Sequence, residues 1–327
     1  MPITIYPYNK KIRPQKSNVK KTLEYFFNSP LSIFSSGRFA LLEALKLSKL
    51  SRCDHILIPD FLSQCVLSIL NQTSFPVKTP DLKTKAVLIL HQWGYPQDMD
   101  SVILESKKRQ LLIIEDCAHS FDSKYKGKNI GSFGNFSIFS FSKIFPTGMG
   151  GFLKVSGQNL KPFHQKENFL KKVFSDWCAR KALRAYRGHP SSTATEICYS
   201  QYHTFYSTPQ KSLNLFPPSL ESLQSDLKKR KENYNFLKKN ILPEFLIPDH
   251  DPNIDPNPLA LPIFAPEKKL SKMKNDLSRK NFDVEILHFD INRNLFNPLY
   301  KKCLAVPCHQ YLSKKNLEDI VCAINNC

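Results

Sequence analysis

Two spacings of apolar residues run along the first half of this chain. In GRFALLEALKLSKL (37–50) the apolar positions recur at helical spacing behind the small residues Ser35, Ser36 and Gly37, which predicts a helix with a small-residue start. CVLSIL (65–70) predicts a second helix. HILIPDF (55–61) predicts a short buried strand stopped at Pro59. AVLILHQWG (86–94) and LLIIEDCAHS (111–120) each carry a continuous apolar run followed by polar groups, as parallel strands buried on both faces do. MDSVILESKKRQ (99–110) between them suits a crossover helix. Strand and helix alternate, so the pattern predicts an α/β domain with a mostly parallel sheet sandwiched by helices.

Further along, residues 160–190 read as basic helix and HPSSTATE (189–196) as a loop. LESLQSDLKKRKENYNFLKKNI (220–241) predicts a long amphipathic helix. A proline-rich stretch (243–266) leads to helices over 269–282 and 312–324 with strand signals among them. This second part predicts a smaller C-terminal α+β domain, with the large domain over 1–210 and the small one over 211–327.

Composition narrows the function classes. With 41% hydrophobic residues in 327, the chain can bury a sizeable core. It has no apolar run of transmembrane length, and its first residues lack the apolar core of a signal peptide. A cytoplasmic protein without membrane insertion is expected. The nine cysteines are scattered without CxxC pairs, which fits reduced thiols and predicts no metal site. The net charge of +19 comes from lysines spread along the chain rather than gathered in one patch, so a nucleic-acid partner is not predicted.

Six of only ten glycines lie between Gly127 and Gly151, where FSFSKIFPTGMGG (139–151) carries a lysine just ahead of a glycine cluster. Glycine concentrates where a backbone turns sharply or approaches something closely. Ligands of open parallel sheets sit at the carboxyl ends of the strands. The polar residues there are Glu115, Asp116 and His119 after one run, His91, Trp93 and Gly94 after another, and Lys143 after the FSF stretch. Ser36, Gly37 and Arg38 add a helix N-terminus, whose N–H groups can bind a phosphate. An acid, a lysine and a phosphate cradle together point to pyridoxal 5'-phosphate (PLP). That cofactor takes a lysine amine as its Schiff-base partner and a carboxylate beside its pyridine nitrogen.

The stretch EDCAHSFDSKYKGKNIGSFGNFSIFSFSKIFPTGMGG (115–151) resembles the signature of the DegT/StrS family of PLP-dependent sugar aminotransferases. SSGRFALLEAL, HILIPDF, LILHQWGYPQDMD, KRKENYNFL and LAVPCHQYLSKKNLEDIVCAI resemble other family segments in family order. The resemblance implies the PLP-dependent transferase fold type I. It implies Lys143 as the Schiff-base lysine, Asp116 as partner of the pyridine nitrogen and His119 beside the ring's 3-oxygen. Ser36, Gly37, Arg38 and Ser140 would hold the phosphate; Ser137 and Ser142 are alternatives to Ser140. It further implies a homodimer that moves an amino group, with glutamate as donor, to a nucleotide-linked keto-sugar in surface polysaccharide or glycoconjugate synthesis.

Several positions depart from the family pattern. Met149 stands where an acid is usual, and Arg38 where Thr or Ser is usual. Only Ser142 separates FSF from the lysine. Ser63 occupies the position of the stacking aromatic, which leaves Trp93 or Phe61 to cover the cofactor ring. The asparagine expected to reach the partner subunit's phosphate is not recognisable in NLFPPS, and a segment of about twenty residues before TKAVLIL is nearly absent. These departures bear on substrate and activity. A PLP-fold protein that has lost transamination and serves as a binding or regulatory module is the alternative expectation.

Overall fold

A computed structural model describes residues 2–7, 12–157, 210–247 and 252–327, together with Val173 and Trp177. The basic helix expected over 160–190 and the loop over 189–196 lie outside the described residues.

The first part begins with helix α1 (Val19–Phe27) and strand β1 (Ser32–Phe34). Next come α2 (Gly37–Leu47), β2 (His55–Leu57), α3 (Gln64–Thr73), β3 (Phe75–Val77) and β4 (Thr84–Leu90). They lead to α4 (Met99–Arg109), β5 (Leu112–Asp116) and two-residue strands β6 (Lys124–Tyr125) and β7 (Lys128–Asn129). β8 (Phe136–Ser140), the one-turn helix α5 (Phe141–Ile144) and β9 (Gly151–Val155) complete it. Seven strands form one sheet in the order β1-β9-β8-β5-β4-β2-β3. Only β9 runs against the others. The mostly parallel sheet expected from the apolar runs is therefore present.

Strand alternation distributes the core between two layers. Ala86 and Leu88 of β4 pack with Ala40, Ala44, Ile69 and Leu70 of α2 and α3. Val87 and Ile89, pointing the other way, pack with Met99 and Val102 of α4. Helix caps mark the turns between layers. The Ser36 hydroxyl accepts from the Phe39 N–H at the start of α2, and Asp98 accepts from the Ser101 N–H at the start of α4.

In the C-terminal part, a long helix (Leu220–Asn240) and a two-residue strand β10 (Ile254–Asp255) precede a three-stranded antiparallel sheet whose third strand in sequence lies in the middle. Its strands are β11 (Ala260–Ile263), β12 (Ile286–Asp290) and β13 (Tyr300–Pro307). Helices Glu267–Arg279 and Lys314–Asn325 complete the α+β arrangement. One hydrophobic cluster joins the two parts, running from Phe121, Phe139 and Phe152 through Leu223 and Leu227 to Ile263, Phe289 and Leu304. The N-terminal residues reach across as well: Ile3 exchanges backbone hydrogen bonds with Asn281 and Asp283, at 2.8 Å each.

Candidate active site

The alternation in FSFS sorts two environments. Phe139 and Phe141 are fully buried, and Phe139 stacks on Phe152 with ring centroids 4.4 Å apart. Ser140 and Ser142 face the other way and line a cavity of about 380 Å³. Ser137 is turned from it and donates to the Gly131 carbonyl. The glycines after Lys143 belong to the same construction. Gly150 sits at φ +108°, and its N–H donates to the Ser35 carbonyl while its carbonyl accepts from the Phe141 N–H. A Cβ on Gly151 would lie 2.4 Å from the Gly37 nitrogen and 2.6 Å from the Phe139 oxygen. The glycine cluster therefore lets α2 start directly against the end of β8, which brings the Ser36–Arg38 turn to Lys143.

All eight site residues expected from the sequence converge on two adjoining cavities. Ser36, Gly37, Arg38 and Ser140 line the first with Asp116 and Lys143. Trp93 and His119 line a second, of about 490 Å³, again with Asp116 and Lys143. Tyr6 and Ser63 line both, and Ser142 lines the first. Tyr6 gave no sequence signal, because it reaches the cavity only through the docking of the N-terminal segment on the distant Asn281–Asp283 segment.

His119 lies 2.8 Å from the Lys143 amine through Nε2, while its Nδ1 accepts from the Trp93 N–H at 3.0 Å. That acceptor role leaves the neutral ring's proton on Nε2, aimed at Lys143 Nζ. The pair is matched when the amine offers its lone pair, which is the form a Schiff base needs. Burial, and then the neighbouring Lys143, hold the imidazole pKa well below its ordinary value. Trp93 adopts a left-handed backbone (φ +52°) to make this contact, and its carbonyl accepts from the Leu259 N–H at 2.6 Å. Such strain in a bulky residue is held in place by its surroundings. The indole itself is 5% exposed and packs on Phe289 at 5.3 Å, so the contact resolved for Trp93 at the site is its backbone hold on His119.

Asp116 ends β5. One carboxylate oxygen accepts from the Ala118 N–H at 3.0 Å; the other has no partner among the described residues. Its neighbour Glu115 points to the opposite face and has a different task. It accepts from the N–H groups of Gly131, Phe133 and Gly134 at 2.6–2.8 Å and from His91 Nε2 at 3.1 Å. Burial raises its pKa, but His91 and these N–H groups outweigh that and hold it below its ordinary value. His91, counted among the polar strand-end groups in the sequence, is fully buried and fixes the Gly131–Gly134 turn from behind the sheet. Cys117 comes close enough to His91 and Glu115 to suggest a metal cluster. Their donor atoms are already engaged: His91 Nδ1 accepts from the Gln97 N–H, and burial, then Glu115 and Asp116, keep the Cys117 thiol protonated. The chemistry of this set is that of a structural knot.

The lysine's own turn is held from the C-terminal part. Arg230, 1% exposed, donates through Nη2 to the Ile144 carbonyl at 3.1 Å, and Gln310 Nε2 donates to the same oxygen at 3.0 Å. Arg230 also reaches Gln310 Oε1 through Nε and Nη2, at 3.1 and 2.7 Å. Burial lowers its pKa, and among the described residues no carboxylate forms a salt bridge with it. Sequence reasoning saw KRKENYNFL only as a family segment; nothing in the local pattern reveals that Arg230 grips the residue after Lys143.

A family profile for the DegT/DnrJ/EryC1/StrS aminotransferases matches residues 79–165, the segment that carries Asp116, His119, Ser140 and Lys143. That segment of the chain is similar to the DegT/DnrJ/EryC1/StrS aminotransferase family. Over 80 residues it is 46% identical to the GDP-perosamine synthase of Escherichia coli O157:H7, which covers 24% of this chain and 22% of that protein. Over 126 residues it is 29% identical to a UDP-N-acetyl-3-dehydro-alpha-D-glucosamine 3-aminotransferase of Acidithiobacillus ferrooxidans, 33% of this chain and 34% of the relative. The match to the first of these curated relatives thus spans about a fifth of its length. Solved members of similar fold extend the likeness along the chain. The PLP form of a putative sugar aminotransferase from Streptococcus pneumoniae aligns over 96% of this chain and 91% of its own, at TM-score 0.68 and 16% identity. An aminotransferase from Streptoalloteichus hindustanus aligns over the same shares with the same TM-score and identity. The fold of this chain is that of the PLP-dependent aminotransferases. Among the described residues no helix is long and apolar enough to cross a membrane.

Proposed function

We propose that this chain is a PLP-dependent aminotransferase that passes an amino group, with glutamate as donor, to a keto-sugar carried on a nucleotide. The observation that carries the reading is the meeting of Lys143, His119, Asp116 and the start of α2 around one pair of joined cavities. The donor set fits the cofactor. Gly37 and Arg38 open α2 on the cavity wall, at the positive end of the helix dipole. Ser140 and Ser142 stand beside them, 3.4 Å apart through their hydroxyls. Bound there, PLP would supply an electron sink for the carbon that exchanges its proton.

The chain's own residues would divide the work as follows. The N–H groups of Gly37 and Arg38 and the hydroxyl of Ser140 bind the phosphate. Asp116 offers its unpartnered oxygen to the pyridine nitrogen and keeps that nitrogen protonated, a charge-assisted contact in a largely dry site. Lys143 Nζ anchors the cofactor, then takes and returns the proton of the substrate carbon. His119, held neutral, presents Nε2–H to the lysine or to the ring's 3-oxygen. A retained lysine favours amino transfer over dehydration.

Residues 1–210 and 211–327 are the two units of this reading, and a homodimer in the cytoplasm, acting in surface polysaccharide or glycoconjugate synthesis, is its setting. Aminotransferase relatives acting on GDP-, dTDP- and UDP-linked sugars support the substrate class. The test is a visible absorption spectrum of the PLP-loaded protein before and after L-glutamate. Loss of the lysine-bound band with stoichiometric 2-oxoglutarate is expected. A spectrum indifferent to glutamate and to other amino acids would leave only the binding-module reading.

A further inference from the structure

The wall of the second cavity away from the α2 start has chemistry the transfer reaction does not use. Phe61, in the loop after β2, is 47% exposed and lines the same cavity as Lys143. It is not a loose surface ring. One face lies flat on His288 of β12, centroids 4.2 Å apart at 10°, and Tyr300 of β13 packs on the ring in a T-shaped contact, centroids 4.8 Å apart. His288 is itself fixed, since its carbonyl accepts from Gln92 Nε2 at 2.6 Å. A rigid, half-exposed aromatic ring thus forms part of the cavity wall. Asp283 and Glu285 line the same wall, two residues apart on either side of buried Val284. Among the described residues their carboxylates have no hydrogen bond or ion pair.

We infer that this wall is the sugar subsite: Phe61 stacks on the apolar C–H face of the hexose, and Asp283 and Glu285 accept hydrogen bonds from its hydroxyls. The inference deepens the proposed function and rests on its nucleotide-sugar reading. A nucleobase would also stack on an exposed ring. Two unpaired carboxylates beside the ring favour the hexose, because each of its hydroxyls can donate to them, whereas a uracil or thymine base offers a single N–H. Hydroxyls suit the same carboxylates, since a charged acceptor strengthens each bond. The arrangement therefore orients the substrate with its sugar on the Phe61 wall and its diphosphate directed elsewhere.

The experiment uses the full chain loaded with PLP. Calorimetry measures the affinity of UDP, dTDP and GDP, and of the corresponding nucleotide-glucoses as probes. At least one nucleotide-glucose is expected to bind about tenfold tighter than its own diphosphate, an increment of about 1.4 kcal/mol. Phe61→Ala should erase that increment and leave the affinity for the bare diphosphate unchanged. Asp283→Asn combined with Glu285→Gln should weaken the nucleotide-glucose severalfold without weakening the diphosphate. Equal loss for diphosphate and nucleotide-glucose in Phe61→Ala would mean that the base stacks there, and would overturn the inference. An increment that survives Phe61→Ala, or no increment in the parent protein, would overturn it too. Adding glutamate to the same samples separates the two proposals. A glutamate response without any sugar increment removes the subsite and keeps transamination. A Phe61-dependent increment without a glutamate response keeps the subsite and removes transamination.

Discussion

Arg230→Met removes a buried cation and the grip on the turn that carries Lys143. Three acceptors lose a donor: Gln310 Oε1, the Pro258 carbonyl at 3.4 Å, and the Ile144 carbonyl. Ile144 keeps its bond from Gln310 Nε2 and Pro258 its bond from the Cys308 thiol, so one acceptor, Gln310 Oε1, is orphaned, at about 1–3 kcal/mol. Against that, the parent protein holds a guanidinium away from water with no paired carboxylate, and replacing a buried charge by an apolar side chain of similar size returns several kcal/mol. The two nearly offset, so global stability is expected to change by no more than about 1–3 kcal/mol in either direction. The local effect is larger. α5 is a single four-residue turn, too short to hold itself, and Lys143 sits inside it. Capture of added PLP should slow tenfold or more, followed as growth of the visible band, while urea unfolding reports the global change. Arg230→Lys, with a charge but no planar fork, should recover little of the capture rate. If Arg230→Met folds yet captures PLP at the parent rate, the clamp does not position Lys143.

Three further outcomes follow from the same geometry. Asp116→Asn should keep PLP on Lys143 but lose most turnover in a glutamate half-reaction, because an amide cannot hold the pyridinium proton; near-normal turnover would remove Asp116 from that role. Gly151→Ala should cost at least about 1–3 kcal/mol in thermal unfolding and weaken PLP retention, since the new Cβ meets only backbone within 2.6 Å; an unchanged melting temperature would refute the packing argument. Glu115 has a folded pKa below the unfolded value of 4.5, so its contribution is complete above about pH 4.5 and is lost as pH falls through the lower, folded value. The stability gap between parent and Glu115→Gln should therefore narrow in acid, and a gap independent of pH would contradict the assignment.

Much of this was legible in the sequence, for reasons that differ between elements. β4 and β5 are buried on both faces, so their unbroken apolar runs marked the sheet centre and placed Asp116 at its carboxyl end. The α2 start was legible because its small residues have a local cause, the close approach of Gly151 and Phe139. Edge strands β1 and β3 are three residues long and left no periodic signal. The roles of Glu115 and His91 were hidden because each is set by residues 16–24 positions away. Arg230 and Gln310 lie 86 and 166 residues from Ile144, a distance over which no local pattern speaks. Trp93 was expected as a ring; the structure adds that its backbone holds the catalytic candidate His119.

The central claim is that Lys143 carries the cofactor. Borohydride reduction of the PLP-loaded protein, followed by peptide mapping, should place one pyridoxyl group per chain on Lys143. Lys143→Ala should stay folded, lose the visible band and incorporate nothing. A pyridoxyl group on another lysine, or undiminished incorporation by Lys143→Ala, would contradict the account.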